Sequence, residues 1–236
     1  MRNHQRQWIY PMAALFFLMI ITAACKKEDD TELPPVSSPT NVTVSDIDGN
    51  IYHTVTIGTQ TWMVENLKTT HYRNGDPITH ITDTIQLANL VTGAYINHKN
   101  SSANSEIYGR LYNWYAVADG PLLAPAGWHI PSQTEWLTLI DYLGGDTIAG
   151  AKLKEAGTSH WQSPNTGATN ESGFTALPGG LCYGSFLETG LEGFYWSSTE
   201  SSAYGAILVF LHAENKKIID APYYKNAGIS VRCIKD

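Results

Sequence analysis

The chain has 236 residues, a formal net charge of −7 and only 16% charged residues, alongside 20 Gly, 13 Tyr and 7 Trp. That length suits one sizeable domain behind a leader. The glycine-rich, aromatic, weakly charged composition points to a loop-rich exported domain, and the acidic balance argues against nucleic acid as a partner.

Arg2 and Arg6 precede a mostly apolar run from Trp8 to Ile21, the n-region and h-region of a secretory signal. The run ends in Ile21-Thr-Ala-Ala-Cys25, which resembles a bacterial lipobox. The resemblance implies a signal peptide over 1–24, lipidation of Cys25 and anchoring of the chain in the outer membrane through that lipid. Lys26, Lys27, Glu28, Asp29 and Asp30 follow and resemble the surface-export signal of Bacteroidetes lipoproteins. This implies a domain facing the cell exterior, with a plain solvated charge run as the alternative. Losing the leader removes two of 15 basic residues and none of 22 acidic ones, so the net charge falls from −7 to about −9. Pro34, Pro35 and Pro39 among Ser and Thr make 25–45 a disordered tether, with one domain over 46–236.

Asp46-Ile-Asp-Gly-Asn50 is read as a hairpin turn. A calcium loop would need Gly where Ile51 stands and Glu where Ile57 stands. Thr61–Leu67 is predicted as a strand, with Trp62, Val64 and Asn66 on one face. An insertion with short strands around Pro77–Ile85 and Val91–Ile96 follows, and its His71, His80 and His98 match no metal-ligand spacing. Leu111, Trp114, Tyr115 and Ala118 at helical spacing predict a helix over Tyr108–Ala118. A second helix is predicted over Ser132–Leu143. There Pro131 holds the entry extended, Ser132 and Glu135 have capping-box spacing, and Trp136, Leu139, Ile140 and Leu143 form one apolar stripe. A third helical piece, Thr147–Ala156, has Asp146 as N-cap and Gly157 as its stop. Residues 159–193 are irregular and carry Trp161, Phe174, Tyr183 and Phe186. Phe194–Ser197, Ala206–Ala213 and Ile229–Ile234 read as closing strands, the middle one central because both its faces are apolar.

Six stretches together carry a family resemblance: Gly58–Leu67, Tyr108–Trp114, Gly127–Trp136, Phe174–Gly180, Tyr195–Glu200 and Ser230–Cys233. In this order they resemble the Fibrobacter succinogenes major paralogous domain. Trp62, Trp114, Trp128, Pro131, Ser132, Glu135 and Trp136 belong to its structural signature. The resemblance implies an α+β, C-type-lectin-like fold with a mostly antiparallel twisted sheet, two main helices and a long-loop region. That fold is distantly similar to formylglycine-generating enzymes. It also implies that the chain ends in the sheet beside its first strand. The family has no single established activity.

Cys182 and Cys233 are the cysteines left besides Cys25, and an exported chain favours their pairing. The alternative is a pair of buried thiols. Gly-x-Ser-x-Gly is absent, and Glu135, committed to a capping box, leaves Glu200 without a partner for glycosidase chemistry. The chain is therefore read as not an enzyme, without cofactor or metal. Lectin-type calcium ligation is not supported either, because Ser163-Pro-Asn165 lacks the carboxylate and Trp196 is followed by Ser197 and Ser198. Aromatic stacking needs no metal, and Trp161, Tyr183, Tyr195, Trp196, Tyr223 and Tyr224 are the candidates for it. Asp83-Thr-Ile85 and Asp146-Thr-Ile148 resemble the O-glycosylation motif of Bacteroidetes secreted proteins. The function expected is non-catalytic recognition or adhesion toward a glycan or a protein. A scaffold lipoprotein without a dedicated ligand is the alternative, and an enzyme of unknown type comes third.

Overall fold

The computed structural model describes residues 40–119 and 123–236. The expected signal peptide, the expected lipidation site Cys25 and most of the expected tether lie outside the described residues.

The Asp-Gly turn forms as read. The Asp46 carboxylate accepts the amides of Asp48 and Asn50 at 3.0 Å each and the Tyr52 hydroxyl at 2.6 Å, and Gly49 takes φ +81°. Strand β1 (Thr40–Ser45) thereby returns as β2 (Ile51–Ile57), which turns again into β3 (Gln60–Met63). The predicted strand to Leu67 stops at Met63, but Leu67 stays buried and its amide bonds Val231 O at 2.8 Å. Next come β4 (Thr79–Ile81), α1 (Thr84–Ala88, capped by Asp83), β5 (Ala94–Asn97) and α2 (Ser102–Tyr108). Strand β5 runs parallel to β4.

The helix predicted over Tyr108–Ala118 is not one helix. Helix α2 ends at Tyr108, β6 (Arg110–Tyr112) pairs with β5, and α3 occupies only Trp114–Ala118. Gly109 breaks the run at φ +76°, with its α-carbon set against the Asn66–Leu67 backbone. Asn113 then restarts it, its carboxamide oxygen accepting the amides of Ala116 and Ala94.

After β7 (Trp128–His129), helix α4 (Gln133–Tyr142) begins as its sequence dictates. Ser132 and Glu135 close the reciprocal capping box, and Trp136, Leu139 and Ile140 are buried. Helix α5 covers Asp146–Leu153, shorter than expected. Asp146 is its first helical residue rather than its cap, and Lys154, not Gly157, ends it by turning extended to bridge Ala176. The irregular region contains only β8 (Leu181–Cys182) paired with β9 (Phe186–Leu187).

Strands β10 (Glu192–Glu200), β11 (Gly205–His212) and β12 (Ile218–Tyr224) form an antiparallel sheet with β11 central, as expected. Strand β12 went unread in the sequence, partly because of Pro222, which an edge strand tolerates. The stretch Ile229–Ile234 is largely not a strand, and only β13 (Ile234–Lys235) pairs at the end. It lies between β3 and β7 in the order β1-β2-β3-β13-β7, so the chain closes into the sheet of its first strand, with β3 as neighbour rather than β1. The architecture is mixed α+β with mostly antiparallel sheets.

Strand alternation separates the two larger of the three apolar clusters inside the protein. On β3, Met63 faces one with Tyr112, Trp128 and Leu208, and Trp62 faces the other with Trp136, Phe174 and Val209. On β10, Trp196 joins the first and Tyr195 the second. Among the described residues no helix is long and apolar enough to cross a membrane.

Candidate ligand-binding face

The six aromatic candidates divide by burial. Trp161, Tyr195 and Trp196 are at most 1% exposed, and their polar atoms are satisfied inside. Trp161 Nε1 donates to Ala176 O and Trp196 Nε1 to Tyr112 O, both at 2.9 Å. The Tyr195 hydroxyl donates to Leu177 O and accepts from Leu177 N. These three are core residues and present no ring face to a ligand, which corrects their reading as stacking residues. Loop position misled that reading, because irregular backbone can still turn a large side chain inward for the area it buries.

Tyr183, Tyr223 and Tyr224 remain at the surface and meet one another. Tyr183 and Tyr224 stack at 5.3 Å with their planes 10° apart, and Tyr223 stands edge-on to both at 6.3 and 5.8 Å. Register explains what adjoins them. Glu192 pairs with His212, Phe194 with Phe210, Leu208 with Ala221, and Ala206 with Tyr223, so these side chains share one face of the β10–β12 sheet. Phe194 and Phe210 stack on it at 5.6 Å. The opposite face packs under α4 through Tyr195 and Val209.

Two clefts meet at Tyr223. One, of about 320 Å³, runs over Leu187, Phe194, Phe210 and Tyr223 and is edged by Glu188 and Glu192. The other, of about 430 Å³, lies between Ser201, Ser202, Tyr204, Tyr223 and Tyr224. Tyr204 is 80% exposed and Tyr224 55%. Burial, followed by the neighbouring Tyr183 and Tyr224, raises the Tyr223 hydroxyl above its usual range, so it stays a donor at neutral pH. Glu188, Glu192, Phe194, Phe210 and Tyr204 were not among the binding candidates of the sequence reading. The alternation of Ile219, Ala221 and Tyr223 was the signal that could have placed β12 and so exposed this face.

Other reactive groups are held in structural roles. Cys182 and Cys233 are free and buried, in different apolar clusters, which corrects the expected disulfide. Burial pushes the Cys182 thiol up to about 12 and the Cys233 thiol higher still, so neither is a ready nucleophile. Glu135 is held by Ser132 and His129, and Glu200 by Lys225. Asp48 binds Thr69, Thr70 and His71, and these bonds outweigh its burial to hold the carboxyl at about 2. Asn165 is buried, with its amide nitrogen on the carbonyls of Glu155 and Gly157. Among the described residues no three His, Cys, Asp or Glu side chains converge as metal ligands.

No curated protein and no solved structure matches the chain. The description of the Fibrobacter succinogenes major domain matches it over residues 55–235, well over half of its length and across every element that builds the aromatic face. The chain belongs to the Fibrobacter succinogenes major domain family.

Proposed function

We propose that this protein is a non-catalytic recognition module that binds a saccharide across the Tyr223 face. The observation that carries the reading is the Tyr183–Tyr223–Tyr224 cluster, in which Tyr223 lines two clefts edged by hydroxyls and carboxylates and the exposed Tyr224 lines one of them. A pyranose offers an apolar C–H face and a rim of hydroxyls. Tyrosine rings match the first, while Ser201, Ser202, Glu188 and Glu192 match the second. Cleft volumes of this size suit one or two sugar rings. The α+β core is read as C-type-lectin-like, supported by the return of β13 into the sheet of β1–β3 and by the long irregular stretch before β10. In the same reading Cys25 carries a lipid that anchors the chain in the outer membrane, with the domain facing outward.

A scaffold without a ligand is the second reading, favoured by the burial of Trp161, Tyr195 and Trp196. Retention of the full-length protein on an array of plant and host polysaccharides separates the two. Binding to at least one glycan is expected. Tyr224→Ala should weaken it several-fold, for a stacking loss of about 1 kcal/mol, and Tyr204→Ala should weaken it too. No retention on any glycan would replace recognition by the scaffold reading, and retention indifferent to both substitutions would overturn the Tyr223 face as the binding site.

A further inference from the structure

The cleft over Phe194 and Phe210 is chemically lopsided. Its charged lining residues are Glu188 and Glu192, and no lysine or arginine lines it. Among the described residues the Glu188 carboxylate has no hydrogen-bond or ion-pair partner. Glu192 has only His212 Nε2, 3.9 Å away and beyond hydrogen-bonding range. His212 Nδ1 accepts the amide of Glu214 at 3.0 Å, which places the proton of the neutral ring on Nε2, on the Glu192 side. Burial raises the Glu192 carboxyl above its ordinary range; His212 opposes the rise and the charge of Glu188 adds to it. Two carboxylates thus share an aromatic groove lined by no lysine or arginine, with the His212 imidazole as the basic group beside Glu192.

We propose that this groove selects an amino sugar bearing a free ammonium group, received between Glu188 and Glu192 while Phe194, Phe210 and Tyr223 pack its ring. The proposal rests on the saccharide reading above and adds its specificity. Charge complementarity decides the class. An ammonium makes charge-assisted hydrogen bonds to both carboxylates and gains from the neighbouring ring faces. A neutral sugar covers the same carboxylates without pairing them, and an acidic sugar is repelled. The net charge of −7 adds attraction for a cation at long range.

Calorimetry on the full-length protein compares glucosamine oligomers with N-acetylglucosamine oligomers of equal length, at a pH that keeps the amine protonated. The free-amine oligomer should bind about tenfold tighter, ~1.4 kcal/mol. Glu188→Gln with Glu192→Gln should erase that preference without changing the melting temperature. Asp141→Asn with Asp146→Asn removes the same charge from α4 and α5 and should leave the preference intact. Equal binding of the two oligomers, still lost in Tyr224→Ala, would overturn the amine selectivity and leave saccharide recognition standing. Equal loss in both double variants would reduce the effect to diffuse charge attraction and overturn the proposal. Binding of neither oligomer would overturn it as well, while the polysaccharide array would still decide the broader reading.

Discussion

Lys154 and Arg232 are both fully buried cations, and among the described residues neither makes an ion pair. The Lys154 ammonium donates to Thr166 O, His212 O and Asn215 O at 2.9–3.2 Å and lies 5.4 Å from the Trp161 ring centre. It gathers the end of α5, the irregular region and the β11–β12 turn around one charge. Arg232 does the same for the second core, binding Asn66 Oδ1 and Phe174 O over the Phe174 ring. Lys154→Met would leave three inward carbonyls unpartnered and should cost about 1–3 kcal/mol in urea unfolding. Burial lowers the Lys154 ammonium from 10.5 to about 8. Between those values the unfolded chain holds more protons than the folded one, so this residue makes stability rise with pH across that window. The rise should be absent from the Met variant when melts are compared at the two ends of the window.

At the scale of elements, the most consequential break is Gly109. Its neighbours carry a helical pattern, yet a β-carbon there would stand 2.6 Å from Asn66 Cβ and 2.9 Å from Leu67 O, at a φ that other residues avoid. Gly109→Ala should therefore destabilise the fold by about 2 kcal/mol or more, read as a lower denaturant midpoint with unchanged slope. A helical substitution scale applied to Tyr108–Ala118 would forecast the opposite sign. The spacing of Leu111, Trp114, Tyr115 and Ala118 was real but unused, because Leu111 and Tyr112 are buried on β6 instead. The start of α4 was legible because a capping box is complete within four residues. The end of α5 was not, because the partners of Lys154 come from two other segments, the irregular region and the β11–β12 turn.

At the scale of the molecule, His129 fastens the end of the chain to the start of α4. Its Nδ1 meets Asp236, 107 positions further along the chain, at 2.7 Å, and its Nε2 meets Glu135 at 2.8 Å. Burial works against the imidazolium, but the two carboxylates prevail and raise it above 6.5. For Glu135, burial is likewise overcome by the Ser132 amide and by His129, and its carboxyl is lowered. The signs set the window. The histidine contribution is complete below 6.5 and fades as pH rises through the folded value, and the Glu135 contribution fades as pH falls through its own. The stability gap between the protein and His129→Gln should be largest just below 6.5 and shrink toward alkaline pH, measured by melting temperature across a pH series.

Locally closed features were decided by the sequence alone: the Asp46–Asn50 turn, the Ser132–Glu135 cap and the doubly apolar β11. Each depends on residues within one turn or one strand, whose hydrogen bonds or alternation are complete without the rest of the chain. Tertiary structure alone decided which aromatics are available. Trp161, Tyr195 and Trp196 went into the two cores, and Tyr183, Tyr223 and Tyr224 were left around a groove that exists only because β12 pairs with β11. The physical reason is that every aromatic side chain gains from burial, but its sequence neighbours do not decide whether a partner surface is there to cover it. Its fate depends on which sheet face becomes covered, and that is settled by strands and loops far away in the chain.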